Sequence, residues 1–185
     1  MRILFVTFGI VILDQISKLL VKGFSLPAIG ISVNGMQYGS SYSIIGDFLR
    51  LTYIENAGMA FGFDLGWKHL FGILSIVASI LILYYLYKSK NSNLGFRLSL
   101  AMILGGAIGN LIDRIFYGVI FGYDKIFYGR VVDFIDVDFF NLNIFGYHID
   151  RWPVFNFADA SVTIGVILLL IFHKPSTKSE SKNAI

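Results

Sequence analysis

The chain of 185 residues is 56% hydrophobic and only 15% charged, carries a formal net charge of +3 and contains no cysteine. It is too apolar for an ordinary soluble domain of this length. Membrane solvation is the natural explanation, and a few helices of about 20 residues each leave no room for a large soluble catalytic domain. The lack of cysteine excludes disulfides, thiol nucleophiles and thiolate metal sites, and the small, unevenly placed charge speaks of topology rather than nucleic acid.

The first apolar run, Ile3 to Leu13, is short enough to imitate a signal-peptide core. Asp14 and Lys18 stand inside its continuation, and no small-x-small cleavage site follows before Pro27, so a retained span over about 3–22 is expected. An outer segment of about 23–67 comes next. There Asn34-Gly35, between Ile31-Ser32-Val33 and Met36-Gln37-Tyr38, predicts a tight hairpin, and Phe48 to Ile54 reads as a strand, together suggesting a small sheet on the membrane surface. The stretch Asn56-Ala57-Gly58-Met59-Ala60-Phe61-Gly62 suits a turn as well as a binding loop. The second span, about 70–87, is uncharged between His69 and Lys88 and ends in Tyr84, Tyr85 and Tyr87 beside Lys88 and Lys90, a membrane-boundary pattern.

A third span over about 98–114 ends in Asp113 and Arg114, and a second outer segment of about 115–156 follows. In it Ile115-Phe116-Tyr117-Gly118 recurs as Ile126-Phe127-Tyr128-Gly129, which is too little for a repeat architecture and reads as an interfacial aromatic anchor, with help to a lipid-bearing substrate as the alternative. The fourth span, about 157–172, carries Asp159 in its first turn, and a disordered tail of about 174–185 closes the chain. Four spans put both termini on one side. Arg2, the group Lys88, Lys90 and Arg97, and the tail cations Lys174, Lys178 and Lys182 then share a cytoplasmic face, while the acidic balance of Asp124, Asp133, Asp136, Asp138 and Asp150 faces outward. The predicted architecture is an all-α integral membrane protein of one domain, with four transmembrane helices, a small extracytoplasmic β-sheet and an outer interfacial loop.

Ionisable groups at membrane depth cost roughly 2.5–3.5 kcal/mol each on insertion scales and need a reason. Asp14 and Lys18, four apart with the acid first, have the spacing of a helical ion pair. Asn110 and Arg114 share a helix face behind Gly105, Gly106 and Gly109, which admit close approach of a helix or a ligand backbone. Asn156 and Asp159, taken alone, fit a capping box ahead of an apolar run better than they fit a site. Asp133 lies in Val131-Val132-Asp133-Phe134-Ile135-Asp136, whose apolar neighbours would raise its pKa. Ser17 and Lys18 are adjacent and point apart, and His69, His148 and His173 show no ligand spacing, which disfavours a serine–lysine hydrolase or a zinc protease.

In chain order, Asp14-Gln15-Ile16-Ser17-Lys18, Asn56-Ala57-Gly58-Met59-Ala60-Phe61, Gly105 to Arg114, Val131 to Asp136 and Phe155-Asn156-Phe157-Ala158-Asp159 resemble the motifs of the lipoprotein signal peptidases. The resemblance implies a bacterial inner-membrane aspartic protease, free of cofactor and metal, that cuts lipid-modified prolipoproteins before their diacylglyceryl-cysteine. It implies Asp133 and Asp159 as the catalytic pair, Asn56, Gly58, Asn110, Arg114 and Asn156 along the substrate site, and Asp14 and Lys18 as structural support. Membrane lipids are the other expected partners, and a monomer the expected state. The connection between Arg114 and Val131 is longer than usual in the family, and the stretch after the first helix is also extended, which bears on the shape of the outer lid. The rival reading is a small proton or ion transporter using intramembrane carboxylates, which would set its acids near the bilayer midplane.

Overall fold

The computed structural model describes residues 2–58, 68–138, 142–144, 147–149 and 151–173. Helix α1, Leu4–Lys22, is 19 residues long, about 28 Å at 1.5 Å per residue. Its pattern is inverted relative to a soluble helix. Phe5, Phe8, Leu13, Ile16 and Leu20 are exposed, whereas Thr7, Asp14 and Lys18 are buried. Such an arrangement is stable where the surroundings are lipid and the polar side chains find partners inside.

Those partners sit on α3, Leu94–Ile112, which packs against α1, α2 (Lys68–Lys88) and α5 (Phe157–Phe172). Asn93 caps its start by accepting from the Phe96 N–H at 2.8 Å. The glycine stripe sets the spacing. A Cβ at position 106 would overlap the Ala158 carbonyl oxygen, and one at 109 would stand 2.7 Å from Asp14 Oδ2. Only glycine lets α1 and α5 approach α3 this closely.

The helical run of α3 was expected to end near Arg114 but continues. A π-helical turn over Asp113–Tyr117 leads into a short helix, α4, Gly118–Ile120. The loop that follows returns along the turn, donating Gly129 N–H to Arg114 O (2.9 Å) and Phe127 N–H to Ile115 O (3.1 Å). The widened turn therefore has partners for carbonyls that a regular helix would satisfy internally. Among the described residues, Leu4–Lys22, Leu70–Lys88 and Leu94–Ile120 are helices long and apolar enough to cross a membrane, and Phe157–Phe172 is a shorter apolar helix.

The strands form small antiparallel sheets: β1 (Phe24–Leu26) with β2 (Ile31–Val33), β6 (Leu142–Ile144) with β7 (Tyr147–Ile149), and a three-stranded sheet ordered β3 (Ser41–Ile45), β4 (Leu49–Asn56), β5 (Val131–Val137). The strand expected at Phe48 to Ile54 is the central one. The hairpin expected at Asn34-Gly35 does not form, because Ile31–Val33 pairs backward with Phe24–Leu26. Gly35 instead lies against the Lys22–Gly23 backbone, so closely that a Cβ there would overlap it, and the Met36 N–H bonds to Val21 O at 2.7 Å. The dipeptide suited a turn locally, but the end of α1 occupies the space such a turn would need.

The aromatic segment after α3 is only partly an outward surface. Phe116 and Tyr128 are exposed, while Tyr117, Phe121 and Tyr123 pack into an apolar cluster with Val21, Tyr53, Val132 and Phe134. The Lys22 ammonium lies 4.5 Å from the Phe121 ring centroid and 5.2 Å from that of Tyr123, so the loop is held to the end of α1 by apolar and cation–π contact together.

Candidate active site

Two elements carry the aspartates, β5 and the start of α5, and Phe155 joins them. Its carbonyl accepts from the N–H groups of Phe134 (3.1 Å) and Ile135 (2.7 Å), and its own N–H donates to Ile135 O at 3.0 Å. This short bridge fixes Asn156, the next residue, beside Asp133. Across the sheet, the pairing of β4 with β5 shifts between Leu51↔Ile135 and Ile54↔Asp133, a bulge directly alongside the aspartate.

Asn156 opens α5 with a full capping box: its Oδ1 accepts from the Asp159 N–H (2.9 Å) and Asp159 Oδ2 accepts from the Asn156 N–H (3.3 Å). The same side chain reaches outward. Its Nδ2 donates to Asp133 Oδ1 at 2.6 Å, with Asn110 Oδ1 at 3.1 Å and Val132 O at 3.3 Å as further acceptors. Asn110 Nδ2 in turn donates to Asp159 Oδ1 at 2.7 Å. Two neutral carboxamides thus span two carboxylates. Capping and site geometry coexist, because the amide end of Asn156 is not used by the helix. Burial, followed by the nearby Asp159 charge, pushes the Asp133 carboxyl up to about 7, with the Asn156 hydrogen bond acting in the opposite direction.

Beneath the pair lies a buried ion cluster. Lys18 Nζ is 2.8 Å from Asp14 Oδ2, 2.9 Å from Asp113 Oδ2 and 2.9 Å from Asn110 Oδ1, so each of its three donors has an acceptor. Asp14, Lys18 and Asp113 have no solvent exposure. The helical pair expected from the spacing is present, but it is two-thirds of a triad. Asp113, expected only as the end of the third span, is the third member. Its only signal was a further acid at the end of an apolar run, and its partner Lys18 is far away in sequence.

The other expected residues are placed differently. Arg114, half-buried, follows Asn110 by one turn and donates to its main-chain oxygen at 3.4 Å; among the described residues it forms no ion pair. Asn56 ends β4, where it pairs with Val131, and its Oδ1 accepts from the Gly58 N–H at 2.8 Å. That is a turn, with Gly58 at φ 91° packed over the Phe71 ring, and no described contact joins Asn56 to either aspartate. The rest of the expected loop, 59–62, lies outside the described residues, as do the tail cations and Asp150.

A family model for signal peptidase (SPase) II matches residues 6–173. The chain belongs to that family. It is 39% identical over 172 residues to the lipoprotein signal peptidase of Pelodictyon phaeoclathratiforme, covering 93% of this chain and 89% of the relative. Against the lipoprotein signal peptidase of Staphylococcus aureus it is 34% identical over 176 residues, covering 95% and 90%. A bacterial membrane enzyme solved by the in meso method at 2.3 Å resolution superposes with a TM-score of 0.69 at 32% identity, over all of this chain and 94% of the other. Another, at 1.9 Å, gives 0.68 at 34% identity, covering 92% and 90%. Signal peptidase II membership makes the chain a membrane protease of lipoprotein processing, and the transporter reading is not favoured.

Proposed function

We propose that this signal peptidase II works as an aspartic endopeptidase, with Asp133 and Asp159 as its catalytic pair, cutting diacylglyceryl-modified prolipoproteins just before the lipidated cysteine. The observation that carries the reading is a chain of two carboxamides between the carboxylates: Asn156 Nδ2 donates to Asp133 Oδ1 and to Asn110 Oδ1, and Asn110 Nδ2 donates to Asp159 Oδ1. Asp133, raised to about 7, keeps a proton near neutral pH and donates it toward the scissile carbonyl oxygen. Asp159, held at both carboxylate oxygens by hydrogen bonds from Asn110 and from the Asn156 main chain, draws a proton from water as that water's oxygen bonds to the carbonyl carbon. When the tetrahedral intermediate collapses, the C–N bond breaks, Asp159 passes the proton to the leaving amine, and Asp133 regains its own.

Asn56, Gly58, Asn110, Arg114 and Asn156 line the substrate site in this reading. Arg114 supports it most directly, as a half-buried cation one turn beyond Asn110, available to an anionic or carbonyl group of the substrate. The chain is a single membrane-embedded domain of the bacterial inner membrane, with four spans, both termini cytoplasmic, and the pair near the outer boundary where water reaches it. Phe157–Phe172, at 16 residues about 24 Å long, serves as the fourth span by ending short of the outer surface, as hydrophobic mismatch allows. Membrane lipids surround a monomer. The deciding experiment is cleavage of a lipid-modified prolipoprotein by the purified protein in detergent, alongside Asp133→Asn and Asp159→Asn.

A further inference from the structure

The buried triad does more than neutralise charge. Asp113 Oδ2 accepts from the N–H of Val132 at 3.1 Å, and Asp14 Oδ1 accepts from the N–H of Ala158 at 2.9 Å. Val132 immediately precedes Asp133, and Ala158 immediately precedes Asp159. Each carboxylate bound to Lys18 therefore grips the main chain one residue before one member of the pair. Val132 directs both its N–H and its C=O away from β4, to Asp113 and Asn156 respectively, so β5 is tied at this point to the helices rather than only to its sheet. Gln15 completes the arrangement, its Nε2 donating to Asp113 Oδ1 at 2.8 Å and to Gly109 O at 3.0 Å.

We infer that Asp113 is a positioning residue: joined through Lys18 to Asp14, it fixes the main chain ahead of Asp133 as Asp14 fixes it ahead of Asp159, and the triad so sets the separation of the catalytic pair. This rests on the proposed roles of Asp133 and Asp159. A carboxylate suits the task because its two oxygens serve three donors: Gln15 at one, Lys18 and Val132 at the other. Misplacing a reacting group by about 1 Å costs on the order of a hundredfold in rate.

The test is Asp113→Asn in the full-length protein in detergent. The amide keeps the volume but has a single acceptor oxygen, and Lys18 retains Asp14 as its counter-ion. The expected result is normal thermal unfolding, a kcat lower by about 10–100-fold and a KM for lipid-modified prolipoprotein within about twofold, since no group touching substrate has changed. The pH–rate profile should also move, because the spacing of the pair sets their mutual repulsion. A folded variant with wild-type kcat and pH profile overturns the inference. Should Asp113→Asn not fold, Gln15→Met decides, because it leaves the Lys18 ion pairs whole while freeing Asp113 Oδ1: a kcat fall of about threefold or more upholds the inference, and wild-type kcat overturns it. Full turnover in Asp133→Asn or Asp159→Asn would instead remove the aspartic reading itself, a distinct result.

Discussion

Two pairs of carboxylates in this protein differ in what stands between them. Asp14 and Asp113 flank the ammonium of Lys18; Asp133 and Asp159 are joined through the side-chain amides of Asn156 and Asn110 in series. The cation holds an oxygen of each acid within 2.9 Å and ties α1 to the end of α3. Neutral amides orient the acids without supplying a counter-charge, so burial and the nearby Asp159 push the Asp133 carboxyl up to about 7. In the proposed reading the same residue type serves as scaffold or reagent according to the groups that bridge it.

The comparison breaks most severely if the amide-bridged acids are dispensable. Asp133→Asn and Asp159→Asn are each expected to lower kcat by roughly a thousandfold or more in folded protein, measured as release of signal peptide from a lipid-modified prolipoprotein. Near-normal turnover in either would end the assignment. The cation-bridged pair should fail in the opposite way. Lys18→Met leaves two buried acids facing each other without a counter-charge and should cost about 3–5 kcal/mol in unfolding experiments. An unchanged unfolding midpoint would show that the cluster is not a support.

Titration sharpens the same contrast. The folded Asp133 sits near 7, above an ordinary aspartate near about 3.9. Between those values the unfolded chain has released a proton that the fold retains, so stability should fall as pH rises from about 4 to about 7 and level off above. Asp133→Asn should flatten that slope. In the wild type, kcat should decline about tenfold per pH unit above about 7 as the acid is lost, and a rate that keeps rising there would assign the proton to another group. The smallest expected effect concerns the loop after α4. Phe121→Ala removes a packed ring under the Lys22 ammonium and should cost about 1–3 kcal/mol of stability with KM within about twofold. A rise in KM without loss of stability would return the loop to substrate binding.

Legibility in the sequence followed distance along the chain. The Asp14–Lys18 pair and the Asn156–Asp159 capping box are both encoded within four residues, and both are present. The glycine stripe announced close helix contact without saying with what; α1 and α5 answer it. The aromatic loop read as an interfacial anchor because six amphipathic rings crowd into residues 116–128, whereas three of them, Tyr117, Phe121 and Tyr123, are packed inward. Asp113 carries no local sign of its role beyond ending an apolar run, since its contacts are to Lys18, Gln15 and Val132 on other elements.

The sequence by itself determined the apolar helices, their caps and the acids that would need partners, because helical period and capping act over one turn of chain. Only the tertiary structure decided which acid meets a cation and which meets an amide. That choice depends on how closely α1 and α5 approach α3 across Gly106 and Gly109, and on the Phe155 bridge that brings Asn156 to β5. Such contacts join residues dozens of positions apart, and packing geometry, which no local pattern specifies, selects among the partners available.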